Sequence, residues 1–277
     1  SHGYHLAGFR ELLAIDFEKN ACEALRANYP DTLVWQRDIT QVTAAEIMEA
    51  TGLKRGDLDV LDGSPPCQAF SLANKNRNPE DERNDLTFAQ IELIKGLQPK
   101  VFVLENVKGQ IVGKMKPKFY AIMKALKDAG YRVKAKLMNA MYYGVPQSRE
   151  RVIIIGVRED LDIEPSFPEA DPRNLKTFTE VTGYDGFRST QFEGNFHPGN
   201  RPVITITKTE SLTFVQGDKE FRPDIGDIKA LCSFPPDYVL PGSRGKQWER
   251  LGNAVMPLMM KAIAEHIRSE ILSPAVF

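Results

Sequence analysis

The sequence predicts an α/β fold built on a mixed, mostly parallel sheet. In residues 1–158, short apolar runs typical of strands alternate with segments of helical periodicity. Strands that alternate with helices form largely parallel sheets with helices on both faces. A chain of 277 residues, 42% of them hydrophobic, can also bury a substantial core. We therefore expect one large globular unit or two unequal ones.

The predicted elements follow one another without internal repeats. Phe119, Ile122, Met123 and Leu126 lie at i, i+3, i+4 and i+7, which places them on one face of a helix. Proline and glycine mark the ends of two helices, at residues 30 and 130. In chain order we expect a strand at 12–15, a helix at 17–29, strands near 60 and 101 with a helix at 86–97 between them, the helix around 119–126, and strands at 131–137 and 152–157.

The character of the sequence changes after residue 158. Residues 159–250 are rich in Pro, Gly, Thr and Asp and read mostly as turns, with one short strand at 203–206. An amphipathic helix is then expected from about 251 through 271. We interpret residues 1–158 and 251–277 as one domain and residues 159–250 as a smaller, irregular second domain.

Composition excludes several classes of protein. No apolar stretch approaches the ~18–20 residues of a membrane span, and no signal peptide is visible. Three cysteines form no disulfide framework, which favours a cytoplasmic location, with Cys22 and Cys232 as small buried residues. The histidines and cysteines show no convincing metal-ligand spacing, so no metal is expected.

The net charge of −1 argues neither for nor against nucleic acid, since contacts with phosphates depend on local positive charge. The candidate basic groups are Lys75 with Arg77 and Arg83, Lys114 with Lys116 and Lys118, and Arg244 with Lys246 and Arg250.

The segment Gly-Ser-Pro-Pro-Cys-Gln-Ala-Phe-Ser at residues 63–71 follows the apolar run near residue 60. A strand that ends in two prolines cannot continue its ladder, because proline has no N–H to donate. The chain must turn there and present Cys67. Glu105 follows the next strand, and ligands of open α/β sheets bind at the carboxyl ends of strands. Two strands thus deliver reactive side chains to one edge of the sheet.

Four motifs in order carry a resemblance to a known family. They are Pro-Pro-Cys-Gln at 65–68, Glu-Asn-Val at 105–107, Gln-x-Arg-x-Arg at 147–151 and Gly-Asn-Ala-Val at 252–255. Each motif alone is weak, but the ordered set covers nearly the whole chain and resembles the cytosine-C5 DNA methyltransferases of prokaryotes and phages. The resemblance implies a Rossmann-like, S-adenosylmethionine-dependent methyltransferase domain, with residues 159–250 as a target-recognition domain.

Methylation of cytosine at C5 needs a particular set of side chains. Position 5 is a poor nucleophile until a thiolate adds to C6, which requires a cysteine. An acid near N3 and a cation near O2 absorb the charge that enters the ring. By resemblance Cys67 is the nucleophile, Glu105 contacts N3 and the exocyclic amine, Arg151 contacts O2, and Arg149 helps to hold Glu105. The base must be flipped out of the duplex, and residues 71–84 are expected to close over it as a lid.

S-adenosylmethionine is the implied methyl donor, leaving S-adenosylhomocysteine. Asp16, after the first strand, suits the ribose hydroxyls, and Phe17 could stack on adenine. By resemblance Asp38 binds the adenine amino group and Ile39 packs beside it. The other positions that match the family's cofactor site are Pro65, Leu86, Asn253 and Val255.

One element of the family pattern lies outside the sequence. The family normally opens with a strand and a Phe-x-Gly-x-Gly-Gly turn for the methionine end of the cofactor, and this sequence begins just after it. Three explanations remain open: the turn precedes the sequence given, a second polypeptide supplies it, or the chain is truncated and inactive. We expect the first.

The leading hypothesis is a monomeric, cytoplasmic enzyme that methylates duplex DNA, associates with the nucleoid through it, and can be paired with a restriction endonuclease. A tRNA cytosine-C5 methyltransferase of the same fold is the first alternative, and the absence of its Cys-Phe-Thr tripeptide favours DNA. A non-catalytic DNA-binding or regulatory homologue is the second. A small-molecule methyltransferase is the third, against which the lid-like loop and the separate 159–250 region argue.

Overall fold

The computed structural model describes residues 1–65, 86–111 and 116–273. The described part alternates strands and helices up to residue 158 and then adds a second sheet and three C-terminal helices. The helices are α1 His2–Leu6, α2 Lys19–Asn28, α3 Ala44–Thr51, α4 Leu86–Leu97, α5 Lys116–Asp128, α6 Phe178–Thr182, α7 Ile225–Leu231, α8 Arg244–Asn253 and α9 Pro257–His266. The strands are β1 Leu13–Asp16, β2 Leu33–Gln36, β3 Val60–Gly63, β4 Val101–Val107, β5 Tyr131–Asn139, β6 Glu150–Arg158, β7 Gly186–Ser189, β8 Phe196–Pro198, β9 Leu212–Gln216 and β10 Lys219–Phe221.

The first two groups of strands confirm the predicted mixed α/β sheet. β1 pairs with β2 in parallel, and β3 pairs with β4 in parallel. β6 runs antiparallel to both β4 and β5, so the strand order is β3-β4-β6-β5. In this register Glu105 lies opposite Ile153, and Val107 lies opposite Arg151. The end of β4 and the beginning of β6 therefore meet at one edge of the sheet.

The second sheet differs from the sequence prediction. β7 to β10 form a four-stranded antiparallel sheet in the order β10-β9-β7-β8, in a region predicted to be mostly turns. The strand predicted at 203–206 is wrong, because Val203 makes only an isolated bridge to Gln147. Val203 bonds to the backbone of Pro146 and Ser148. Ile206 bonds to buried side chains instead: its amide donates to Gln147 and its carbonyl accepts from Arg149.

The predicted C-terminal helix is two helices. α8 ends at Asn253, Ala254 and Met256 are extended, and α9 begins at Pro257. Proline fixes φ and lacks an N–H, so it suits the first turn of a helix and not its interior. The prediction of one continuous helix from 251 is therefore wrong, and a π-helical turn at Ile267–Leu272 continues α9.

The apolar core lies on both faces of the sheet formed by β3, β4, β6 and β5. On one face, Ile91 and Ile94 of α4 and Ile122 and Leu126 of α5 pack against β4 and β6. Gly63 lets α4 approach, since a Cβ there would lie 1.5 Å from the Gln90 side chain. The cluster on the other face is continuous. It joins residues of β4 and β6 to Phe178 of α6, to Phe214 of β9 in the second sheet, and to Trp248 and Met259 of the C-terminal helices.

The sequence also bears on the burial of two cysteines and on the membrane-spanning potential of the helices. Cys22 and Cys232 are fully buried, as predicted. Within residues 1–65, 86–111 and 116–273, none of the helices combines the length and apolar character needed to cross a bilayer.

Candidate active site

An ion pair between neighbouring strands forms the centre of the site. Glu105, near the end of β4, accepts from Arg151 of β6, with Arg151 Nε 2.8 Å from Glu105 Oε1. The two side chains are only 12% and 13% exposed. Because the strands are hydrogen-bonded across their whole length, the positions of both groups are set by the sheet itself. The structure thus brings together two of the four predicted catalytic residues.

Burial dominates the electrostatics of this pair. It raises the pKa of Glu105, against the nearby positive charges of Arg151 and Arg149. Burial also lowers the pKa of Arg151, which the Glu105 carboxylate opposes. A carboxyl group that water solvates poorly is protonated at a lower free-energy cost than an exposed one. Glu105 therefore keeps its proton to a higher pH than an exposed glutamate does.

The residue after Glu105 connects β4 to the segment that precedes Cys67. The buried Asn106 side chain donates from Nδ2 to the Pro65 carbonyl at 2.9 Å, and its Oδ1 accepts from the Val107 amide at 2.8 Å. Pro65 is two residues before Cys67 in the sequence. Cys67 itself, and the predicted lid at 71–84, lie outside the described residues. Sequence reasoning quoted Asn106 only as part of a motif and missed this connection.

Arg149, predicted to help hold Glu105, acts on that carboxyl group through its charge and makes its hydrogen bonds to backbone carbonyls. Its guanidinium is buried and donates to the carbonyls of Ile206 at 3.0 Å, Gly252 at 2.9 Å and Ala254 at 3.0 Å. Burial, helped by the charge of Arg151, lowers its pKa to about 10, so it stays protonated at neutral pH. Arg149 therefore ties together three segments distant in sequence, and Arg151 is the arginine that pairs with Glu105.

Arg149→Met is expected to lower the free energy of unfolding by about 3 kcal/mol or more. The variant leaves three carbonyls short of a donor, and one unsatisfied buried acceptor costs roughly 1–3 kcal/mol. Urea denaturation followed by circular dichroism measures the change. Arg151→Met is the matched control, with a smaller expected loss because Glu105 can take up a proton when its partner is gone. Equal stability of Arg149→Met and the wild type would contradict this role.

Gln147 supports the same segment from the start of the Gln-x-Arg-x-Arg motif. Its buried side chain accepts from the Ile206 amide at 3.1 Å and donates to the Leu231 carbonyl at 3.3 Å. Gly252 permits the close contact of α8, since a Cβ there would lie 2.3 Å from the Thr207 carbonyl oxygen. The first two polar residues of the motif thus fix the 203–207 segment, and the third faces the site. The motif pointed to Gln147, but not to this role.

A polar cavity opens beside Arg151. Its volume is about 440 Å³, within the ~300–1,000 Å³ typical of small-molecule sites. It lies where the end of β4, the start of β6 and the segment around Thr205 meet. The lining residues are Val107, Lys108, Gly109, Asn139, Ser148, Glu150, Arg151 and Thr205.

The residues predicted to bind the nucleoside part of a cofactor lie at the ends of β1 and β2. Asp16 ends β1, accepts from the Glu18 amide at 2.8 Å, and has a pKa raised by burial. Phe17 beside it is 66% exposed. Asp38 follows β2 and accepts from the Thr40 amide at 2.9 Å, and Ile39 packs in an apolar cluster. Because β1 and β2 are parallel neighbours, both pairs lie at the same edge.

The remaining predicted cofactor positions lie at three other places in the fold. Pro65 is buried after β3, and Leu86 is the first residue of α4. Asn253 is the exposed last residue of α8, and Val255 lies in the extended link before α9. The Gly252 and Ala254 carbonyls that Arg149 binds flank Asn253. This link is thereby connected to the start of β6.

The predicted basic groups have different outcomes. In the third candidate group, each cation has an acidic partner, so the positive charge of this group is largely neutralised within the protein. These ion pairs are Arg244–Glu210, Lys246–Glu249 and Arg250–Glu18. Lys116 and Lys118 begin α5. The residues outside the described part are Lys75, Arg77, Arg83 and Lys114.

Metal ligation has no candidate in the part of the chain that the structure describes. There, no three His, Cys, Asp or Glu residues lie together in a way that could hold an ion.

Solved structures define the class of the fold. A DNA modification methyltransferase encoded within an E. coli prophage superposes with a TM-score of 0.76, at 18% identity, over 98% of this chain and 96% of that one. Spodoptera frugiperda DNMT2 superposes with a TM-score of 0.73, at 19% identity, over 99% and 96%. The fold is therefore the Rossmann-like fold of C5 methyltransferases.

Sequence comparison defines the family. Residues 1–197 match the model of the C-5 cytosine-specific DNA methylases, and the chain belongs to this family. The type II methyltransferase M1.HphI of Haemophilus parahaemolyticus is 30% identical over 96% of this chain and 83% of its own length. M.AquIA of Picosynechococcus sp. is 38% identical over 65% and 76%, respectively. The enzyme class is thus DNA cytosine-C5 methyltransferase, as the ordered motifs predicted.

Proposed function

We propose that this enzyme transfers a methyl group from S-adenosylmethionine to C5 of a cytosine flipped out of duplex DNA, through a covalent adduct with Cys67. The observation that carries the proposal is the buried Glu105–Arg151 pair, joined through Asn106 to the segment that leads into Cys67. The acid and the cation that the chemistry requires then lie at the edge of the sheet, next to the segment that leads into the thiol.

The Cys67 thiolate attacks C6 of the cytosine. The π pair of the C5–C6 bond shifts to the C4–C5 bond and that of the C4–N3 bond to N3, which gives an enamine that is nucleophilic at C5. Glu105 hydrogen-bonds N3 and the exocyclic amine, and its raised pKa favours the protonated form that stabilises the added charge at N3. Arg151 lines the cavity and donates to O2. C5 would take the methyl group, leaving S-adenosylhomocysteine. Its proton then passes to solvent water, the C5–C6 double bond re-forms as the C6–S bond breaks, and the thiolate is released.

The residues at the ends of β1 and β2 fit S-adenosylmethionine. An acid at the end of β1 suits ribose hydroxyls, and the exposed ring of Phe17 offers a stacking surface for adenine. Asp38 and Ile39 would hold the adenine edge, and Pro65, Leu86, Asn253 and Val255 complete the surroundings. When bound, S-adenosylmethionine supplies the electrophilic methyl group. In this proposal the chain's own residues only bind and orient that group, and no metal takes part.

Duplex DNA is the proposed substrate, and residues 159–250 are proposed as the region that recognises the target sequence. The family model and the two relatives named as type II methyltransferases support DNA over tRNA. Their names also support a role in restriction and modification, with a paired endonuclease as the expected partner. We expect the enzyme to act as a monomer in the cytoplasm, associated with the nucleoid.

Trapping with 5-fluorocytosine tests the proposal directly. Fluorine at C5 cannot leave as the proton does, so the Cys67–C6 bond persists after methyl transfer. The enzyme is mixed with S-adenosylmethionine and a random-sequence duplex that contains 5-fluorocytosine, with fluorinated tRNA alongside. We expect a denaturation-resistant adduct with DNA only, and peptide mapping of that adduct to Cys67. An adduct only with tRNA would show that the substrate is tRNA and not duplex DNA. The absence of an adduct with either nucleic acid would overturn the proposed mechanism.

A further inference from the structure

A second cross-strand ion pair lies at the opening of the cavity. Lys108, directly after β4, places Nζ 2.9 Å from Oε2 of Glu150, the first residue of β6. These side chains are 53% and 44% exposed, and both line the cavity. They are far more exposed than Glu105 and Arg151 on the same two strands. The charges alternate: in the inner pair, Glu105 with Arg151, the anion comes from β4, and in the outer pair, Lys108 with Glu150, the cation follows β4 directly.

The two pairs match the two ends of a nucleotide. A base that reaches Arg151 at the inner pair directs its sugar and phosphate toward the opening, where Lys108 lies. Lys108 lies three positions after Glu105, roughly 10 Å along an extended chain. Lysine binds phosphate as a compact point charge. The outer pair is also weakly held, because an exposed ion pair contributes only about 0–1 kcal/mol, so Lys108 can change partner at little cost.

We infer that Lys108 binds the phosphate of the flipped nucleotide and that Glu150 holds Lys108 in place until the DNA arrives. This inference rests on the proposed function, because it requires DNA with its target base in the cavity. Glu150 then competes with the phosphate for Lys108. Where Lys108 keeps Glu150 as its partner, the carboxylate of Glu150 repels the phosphates of the DNA. Lys108 is thus a positioning residue for the target nucleotide, and Glu150 lowers affinity for DNA.

The same strand supplies a matched control. Lys100 precedes β4 and pairs with Asp59 at 2.8 Å, with side chains 36% and 56% exposed. This pair also joins neighbouring strands, but it lies at the amino end of β4, at the edge opposite the cavity. Removing the charge of Lys100 changes the net charge of the protein as much as removing that of Lys108. The two variants therefore separate a local phosphate contact from general electrostatics.

The test is the salt dependence of DNA binding. Affinity for long random-sequence duplexes, which contain any short target, is measured by fluorescence anisotropy with S-adenosylhomocysteine present. Lys108→Gln is expected to weaken binding and to reduce the slope of log K against log salt by about 0.9, the value for one phosphate contact. Lys108→Arg should restore the slope, Lys100→Gln should leave it unchanged, and Glu150→Gln should tighten binding.

The possible results separate this inference from the proposed function. A wild-type slope in Lys108→Gln, an equal loss in Lys100→Gln, or weaker binding by Glu150→Gln would overturn the inference, even if the 5-fluorocytosine adduct forms. Wild-type enzyme that neither binds duplex DNA nor forms the adduct would overturn both.

Discussion

Replacing Cys67 with serine is expected to reduce methyl transfer by at least about 10⁴-fold while DNA binding stays measurable. Loss of a covalent nucleophile costs enzymes on this order, and a serine hydroxyl without an adjacent base does not ionise near neutral pH. Transfer of radiolabelled methyl groups to DNA measures activity, and anisotropy measures binding. Activity of the serine variant near the wild-type level would remove Cys67 from the mechanism.

The other two cysteines provide controls for that result. Burial raises the pKa of the Cys22 thiol, and it raises the pKa of Cys232 to about 12. Neither thiol is therefore a competent nucleophile at neutral pH. Cys22→Ala and Cys232→Ala should still form the 5-fluorocytosine adduct, although each can lower the stability of the fold. Loss of the adduct in a folded Cys232→Ala protein would show that Cys232, and not Cys67, is the nucleophile.

Glu105→Gln is expected to lower the single-turnover rate by about 10²–10⁴-fold, the usual contribution of a general acid. Glutamine keeps a hydrogen-bond donor but cannot supply a proton. The pH profile gives a second readout. Because burial raises the pKa of Glu105, the acid form persists to higher pH than in an exposed glutamate, and the wild-type rate should fall as pH rises through that raised pKa.

The fall in rate at high pH identifies the group that titrates. This fall should vanish in Glu105→Gln and persist in Glu150→Gln, whose carboxylate lies on the neighbouring strand at the cavity opening. Single-turnover measurements at saturating DNA keep the expected change in affinity out of the comparison. If the fall in rate disappears in Glu150→Gln instead, the titrating acid is Glu150 and the role proposed for Glu105 is wrong.

Local sequence patterns predicted the elements whose hydrogen bonds are local. The helix expected at 86–97 is α4, Leu86–Leu97, because an uninterrupted apolar face and its own backbone bonds specify it. The strand predicted at 203–206 failed because the partners of that segment, Gln147 and Arg149, lie more than fifty residues away in sequence. The strands β7 to β10 were missed because short strands in a region rich in turn residues have no strong period.

The candidate site shows the same division between local and distant information. Motif order identified Glu105 and Arg151, whose side chains the register of β4 and β6 brings together. The resemblance gave Arg151 the contact with the base and Arg149 a role in holding Glu105, but it could not show that Arg149 bonds to backbone carbonyls. These are the carbonyls of Ile206, Gly252 and Ala254, which only the folded chain brings to Arg149.

The carbonyls that Arg149 binds also set the time at which the enzyme becomes competent during synthesis. Two of them belong to residues 252 and 254, more than a hundred positions after Arg149. A nascent chain that has already made Cys67, Glu105 and Arg151 still leaves Arg149 without these acceptors. We therefore expect methylation to begin only after α8 has left the ribosome and packed against the segment that contains Arg149. A protein fragment that stops before residue 252 should contain every proposed catalytic group and still be inactive.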